Sequence, residues 1–370
     1  MSAEYPTTTR VLQKKPSESA FKQQKLPAWQ PILTAGTVLP TFFAIGIAFI
    51  PIGVAILFFS EGVQERVVEY TDCNSTTDSG KPGRPCAEII GDSRNHSITK
   101  PCICNVSFQL PNDYPGQVYI YYGLTNFYQN HRRYVKSRDD VQLLGKLNSQ
   151  PSTDCAPYAF LNYGNGTRKP IAPCGAIANS MFDDEFQLFY GNSSLSLVPW
   201  DRTGIAWPSD KDIKFRNPPG VLKEAFAEFA KPVDWRKNIW ELDTETKDDS
   251  NNGFQNEDFI VWMRTAALPN FRKLHRRVVH SEAPFQNGLP KGQYYLLVNY
   301  WYPVKGFKGT KSFILSTTSV LGAKNPFLGY SYIVVGSLCL VVGIIFLVIH
   351  IKYGKSTVEV VNVTPTTSYQ

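Results

Sequence analysis

The chain carries no charge where an ion or proton pathway would need it. Between Lys25 and Glu61, and again between Lys324 and His350, there is no acid, base or histidine. Membrane pumps and channels place such groups near the midplane, so this absence argues against a chain that conducts or pumps by itself. Long runs of like charge are also missing. The formal net charge of +7 is spread over 370 residues, with no five like charges in a row. Nucleic-acid binding would want a basic stripe with interleaved aromatics. Only His131 to Arg138 comes close, and Asp139 and Asp140 follow it at once.

Catalytic signatures are absent as well. There is no G-x-S-x-G, no phosphate-cradling G-x-x-x-x-G-K-[ST] and no H-E-x-x-H. The five histidines (His96, His131, His275, His280 and His350) form no metal-ligand spacing. Asp248, Ser250, Asn252 and Gly253 imitate the start of a calcium loop, but Phe259 occupies the position of the bidentate glutamate. A polar turn ending at Gly253 accounts for them. Glu257 and Asp258 are adjacent, so on a strand they would point to opposite sides. The residues therefore imply no catalytic group, no metal and no cofactor.

What is present is segregated. Ile32 to Phe59 and Asn325 to Ile349 are apolar runs; the first would span ~42 Å as a helix, more than the roughly 30 Å of hydrocarbon requires. The first run is too long for a cleaved signal peptide and has no small-residue cleavage site. The expected organisation is a tail at 1–30, a spanning helix at 31–59, an outer domain at 60–324, a second spanning helix at 325–350 and a tail at 351–370. Arg10, Lys14, Lys15, Lys22 and Lys25 precede the first span, and Lys352 and Lys355 follow the second. By the positive-inside rule both tails are cytosolic. Pro40 and Pro51 should kink the first helix or loosen its ladder. Gly329, Gly336 and Gly343 recur every seven residues, as do Gly46 and Gly53, so each set shares one helix face. Such a face permits close helix contact, either with a partner helix or between the two spans.

The outer segment holds five glycosylation sequons, at Asn74, Asn95, Asn105, Asn165 and Asn192. A sixth match, Asn362, falls in the cytosolic tail. Six of the seven cysteines lie outside: Cys73, Cys86, Cys102, Cys104, Cys155 and Cys174. Cys339 lies in the second span. In an oxidising compartment six cysteines suggest three disulfides. Cys102 and Cys104 are too close in an extended chain to bridge, so each reaches back to Cys73 or Cys86. That leaves Cys155 with Cys174, closing a loop worth about 3 kcal/mol. A zinc site would need short C-x2–4-C knuckles that are not there. Strands are expected at Asn105 to Leu110, Gln117 to Tyr122, Glu185 to Tyr190, Phe259 to Met263, Tyr294 to Tyr302 and Ser312 to Thr317. Helical pattern is confined to Val221 to Ala230 and Phe271 to Val279. The outer domain thus reads as mainly antiparallel β with a few helical insertions.

Six long strings carry a resemblance. They are Phe21 to Gly36, Tyr121 to Asp140, Lys169 to Phe182, Lys214 to Gly220, Asn256 to Leu268 and Gly322 to Gly329. Together they resemble the small β-subunit of the type IV P-type ATPase phospholipid flippases, the cell division control protein fifty family. The resemblance implies a membrane protein with two transmembrane helices flanking a disulfide-stapled, β-sandwich-like ectodomain. It implies the pairs Cys73–Cys104, Cys86–Cys102 and Cys155–Cys174. It also implies a non-catalytic subunit in a heterodimer with a catalytic ATPase chain, amid membrane lipids and N-glycans, in endoplasmic reticulum, Golgi, endosomal and plasma membranes. Relatives carry sequons near Asp183 and Asn299 that this sequence lacks. The D-K-T-G phosphorylation string is absent too, as suits a subunit without ATPase activity. Phe21, Trp29 and Pro31 become candidates for the partner interface at the cytosolic membrane edge, and Gly46, Gly53, Gly329, Gly336 and Gly343 for a partner helix. The rival classes are a two-pass ligand-gated channel, which would need a polar pore-lining face, and an adhesion or receptor glycoprotein.

Overall fold

The structure is a computed structural model and describes residues 17–26, 34–76, 83–91, 100–164, 166–191, 194–246 and 248–354. The chain divides into two units, Met1–Val54 with Gly329–Gln370, and Ala55–Leu328. Two 27-residue helices, Ala35–Glu61 and Phe327–Tyr353, carry the apolar runs. Each is ~40 Å long, enough to cross a bilayer. Only 11% of each apolar stretch is buried, the reverse of a soluble core helix, so these surfaces face lipid. The first helix continues through Pro40 and Pro51 without a break in its assignment. This is a membrane protein with two spanning helices flanking a β-rich domain.

That domain is built on seven strands of five or more residues among the described residues. They are β1 (Glu65–Glu69), β2 (Cys102–Leu110), β3 (Val118–Leu124), β4 (Glu185–Tyr190), β5 (Phe271–Val278), β6 (Gly292–Tyr300) and β7 (Lys311–Thr317). One antiparallel sheet has the order β1-β7-β3-β5, with Trp200–Asp201 at its edge. The other has the order β2-β6-β4, with Ser196–Leu197 at its edge. Period-two alternation turns Val118, Ile120 and Tyr122 of β3 inward, and likewise Tyr294, Leu296, Val298 and Tyr300 of β6. The two inner faces meet in one core. Phe186 of β4 packs edge-on against Phe313 of β7 at 5.3 Å, and Phe182 stacks on Tyr122 at 4.0 Å. Each such ring pair adds about 0.5–1.5 kcal/mol beyond its buried area.

Three elements depart from the sequence reading. Phe259–Met263 is not a strand but the body of a helix, Glu257–Met263. Asn256 caps it, its side chain accepting from the Phe259 N–H at 3.0 Å, and Glu257 and Asp258 sit in the first turn where the helix dipole favours acids. Phe271–Val279 is not a helix but β5, which buries Lys273, His275 and Arg276 beside Val278. Of Val221–Ala230 only Leu222–Ala225 is helical; the chain continues in tight turns, Ala227 N–H to Glu224 and Phe229 N–H to Phe226, and the Ala230 N–H bonds Pro170 at 2.8 Å.

Disulfides join Cys73 to Cys104, Cys86 to Cys102 and Cys155 to Cys174. The first two pin the segment before β2, including the short helix Cys86–Ile90, to the start of that strand. The sulfurs of Cys73, Cys86 and Cys104 lie within 4.8 Å of one another for this reason. Bonded to each other or to Cys102, they offer no thiolate to a metal.

Candidate assembly site

The five glycines lie between the two spans rather than on an outer face. A Cβ on Gly336 would sit 3.0 Å from Ile50 and 3.1 Å from Phe49. One on Gly53 would sit 2.7 Å from Ile333 and 2.9 Å from the Gly329 carbonyl, and one on Gly46 3.0 Å from the Gly336 carbonyl. Gly343 faces Phe42 and Phe43. Rings close the seam beside them: Phe42 on Phe346 at 5.7 Å and Phe49 on Tyr332 at 4.9 Å. The glycines therefore let the spans of one chain approach each other, and the partner-helix assignment of Gly46, Gly53, Gly329, Gly336 and Gly343 is replaced by this contact. What remains for a partner in the membrane is the outer helix surface, where Ile47, Val54, Val334 and Leu338 are exposed.

In the sandwich, a fully buried ion pair ties four segments together. Lys311 Nζ, at the start of β7, donates to Asp184 Oδ2 at 2.6 Å and to the Tyr302 carbonyl at 2.7 Å. Asp184 also accepts from the Tyr70 hydroxyl at 2.9 Å and from the backbone N–H groups of Trp301 and Tyr302 at 2.6 and 2.7 Å. Both side chains are 0% exposed. Burial, then the nearby Asp184 charge, raises the Tyr70 hydroxyl well above its usual range, so it stays a donor.

A second cluster surrounds Asp258 in the first turn of the helix Glu257–Met263. Arg276 lies 2.6 Å from its carboxylate and Arg202 3.3 Å. Burial opposes ionisation of Asp258, but these two charges prevail and hold it at about 2. His275 beside them is pushed well below its usual value by burial and the Arg276 charge, so it is neutral. At the other end of the same helix Lys273 Nζ donates to the carbonyls of Val261 at 2.9 Å, Trp262 at 3.0 Å and Arg264, satisfying the last turn. Burial, with the Arg264 charge, brings Lys273 down to about 7.

A cavity of about 120 Å³ opens beside Asp258, Asp184 and Trp301. Each acid on its wall is held in an ion pair: Asp183 by Arg236, Asp184 by Lys311, Glu185 by Lys237, and Asp258 by Arg202 and Arg276. Arg236 also stacks on Trp301, 4.0 Å from the ring centre. These contacts fix architecture and leave no acid positioned as a free base.

The other sequence candidates are dispersed. Phe21 is 76% exposed in a turn of the N-terminal segment. Trp29, Pro31, Asn95, Asn165 and Asn192 lie outside the described residues. Asn74 and Asn105 are exposed, Asn105 on the edge strand β2. Sequence reasoning missed the buried basic residues of β5 and the Asp184–Lys311 pair. Only the N-cap pattern Asn256-Glu257-Asp258 could have signalled the helix that organises the first of these.

The sequence model of the LEM3 (ligand-effect modulator 3) family / CDC50 family matches residues 56–356, from the end of the first span through the whole second span. The chain belongs to this family. It is 51% identical to cell cycle control protein 50A of Bos taurus over 350 residues, 93% of this chain and 91% of that one. It is 46% identical to cell cycle control protein 50B of Homo sapiens over 348 residues, 91% of this chain and 94% of the relative. ALA-interacting subunit 3 of Arabidopsis thaliana is 38% identical over 349 residues, 93% and 89% of the two chains. The CDC50-family match thus takes in the stapled sandwich and both its buried charge clusters, and the pairwise alignments are long enough to include the spans.

Proposed function

We propose that this chain is the non-catalytic accessory subunit of a phospholipid flippase. It binds a catalytic type IV P-type ATPase chain, carries it out of the endoplasmic reticulum to Golgi, endosomal and plasma membranes, and supports movement of phospholipid to the cytosolic leaflet. The observation that carries this reading is the family match over residues 56–356, the sandwich and the second span, with a pairwise alignment over 93% of the chain. The physical reading agrees with it. The wall acids of the cavity are committed to ion pairs, while broad apolar surfaces stay open on the outer faces of the spans. On this reading the outer helix surface, Phe21, Trp29 and Pro31 meet the partner, and the exposed Asn74 and Asn105 carry N-glycans along with Asn95, Asn165 and Asn192. The test is removal of this chain from cells. The catalytic chain should then stay in the endoplasmic reticulum and inward movement of fluorescent phosphatidylserine should fall, both recovering on re-expression. Normal delivery of the catalytic chain in its absence would overturn the proposal.

A further inference from the structure

The connection from β7 to the second membrane helix is closed by a hairpin with an unusual tip. Ser319 and Gly322 exchange both backbone hydrogen bonds, each at 2.9 Å, leaving two residues at the apex. The Ser319 hydroxyl accepts from the Leu321 N–H and donates to the Gly322 carbonyl, both at 3.2 Å. Gly322 supplies the left-handed φ of 97° that the turn requires. Tips of this length favour Asn, Asp or Gly. Here they are Val320 and Leu321, 92% and 58% exposed. Val320 is the most exposed large hydrophobic side chain among the described residues. A fixed turn that holds two apolar side chains away from the core has no use for them inside this chain.

Their surroundings say what covers them. The Asn325 N–H donates to the Ser60 hydroxyl at 3.0 Å, tying the end of the first helix to the approach of the second. Phe58, Phe59 and Val320 line one groove together with Glu61, Gly62, Thr318 and Ser319, and Phe58, Phe327 and Leu328 are exposed. Phe58 and Phe59 are the last apolar residues of a lipid-facing helix. The apolar end of the first helix, at Phe58 and Phe59, therefore shares a groove with Val320 of the hairpin tip, and Glu61, Thr318 and Ser319 complete its rim. Lys324, also exposed, stands where a long cation can reach headgroup phosphates while its stem stays on apolar surface.

We propose that the Val320–Leu321 tip is a wedge that inserts into the headgroup–acyl boundary of the non-cytosolic leaflet next to the end of the first helix. The occupant is lipid because the patch is an extension of surface that already faces lipid. This inference rests on the hairpin and the apolar end of the first helix and does not depend on the flippase reading.

The test places an environment-sensitive fluorophore on Val320→Cys, and separately on Leu321→Cys, in a Cys339→Ser background. Lys308→Cys, exposed beyond the opposite end of β7, is the aqueous control. The full chain is reconstituted in phosphatidylcholine vesicles. At both tip positions emission should be blue-shifted from the control, quenched strongly by lipids with a nitroxide near the headgroup, and quenched weakly by aqueous iodide. Control-like emission with strong iodide quenching would overturn the proposal. So would a blue shift that does not respond to nitroxide lipids, since protein rather than lipid would then cover the tip.

Discussion

Replacing Lys311 by methionine tests the sandwich at its most committed point. Methionine keeps most of the apolar stem and removes the ammonium. Asp184 would remain 0% exposed with only its three neutral donors, Tyr70, Trp301 and Tyr302. The Tyr302 carbonyl would lose a charged donor at 2.7 Å, and the Tyr300 ring a cation 3.0 Å from its centre. Breaking one side of a buried pair costs about 3–5 kcal/mol, because the partner charge stays desolvated. The three surviving hydrogen bonds place the cost near the lower end. For a domain of this size that is a fall in Tm of about 6–12 °C. The assay is thermal unfolding of the purified full chain in nanodiscs, followed by tryptophan fluorescence with disulfides intact. Lys291→Met, at an exposed position, should change stability by no more than about 0.5 kcal/mol. A Lys311→Met protein that melts within about 2 °C of the parent would refute the reasoning, since a hub joining β7, β4, β6 and the residue after β1 cannot be lost so cheaply.

Three further outcomes follow from the same contacts. Gly336→Leu should separate the two spans and lower yield and thermal stability by about 1–3 kcal/mol, whereas Cys339→Leu should have little effect; equal behaviour would argue against the seam. Because His275 is held neutral by burial, the unfolded chain takes up a proton below about pH 6.5 that the folded chain does not. Stability should therefore fall with falling pH, with a slope of up to about 1.4 kcal/mol per unit, and His275→Asn should flatten that slope in melts taken from pH 7.5 to 5. Replacing Cys155 or Cys174 by serine should cost about 3 kcal/mol and hold the protein in its immature glycoform, read by endoglycosidase sensitivity on gels.

The elements legible in the sequence were those whose burial alternates simply. β4 lies at Glu185–Tyr190, and β3 and β6 begin or end within two residues of the expected strands, because one face of each enters an apolar core; β7, buried at six of its seven positions, was legible from its apolar and β-branched residues instead. The spanning helices were legible for the complementary reason, an unbroken lack of charge. β5 was not, for two reasons. Its register slips between Leu274 and Arg276, which breaks the alternation, and it buries Lys273, His275 and Arg276, residues that usually mark an exposed face. Those charges are tolerable only because Asp258 and the last carbonyls of a neighbouring helix receive them, and that helix was itself read as a strand from its aromatic and β-branched residues. The two misreadings are one event: helix and strand exchange charges across the fold, and neither pattern is interpretable alone. The glycine spacing was correctly seen as a close-contact face, but a single sequence does not reveal which helix fills it.

The most direct measurement is the composition of the particle this chain forms in its native membranes. Gentle solubilisation, affinity purification through this chain and mass measurement should give one copy bound to one much larger polytopic ATPase chain. Recovery of homotrimers with no such chain would contradict the proposed role and favour a two-pass channel.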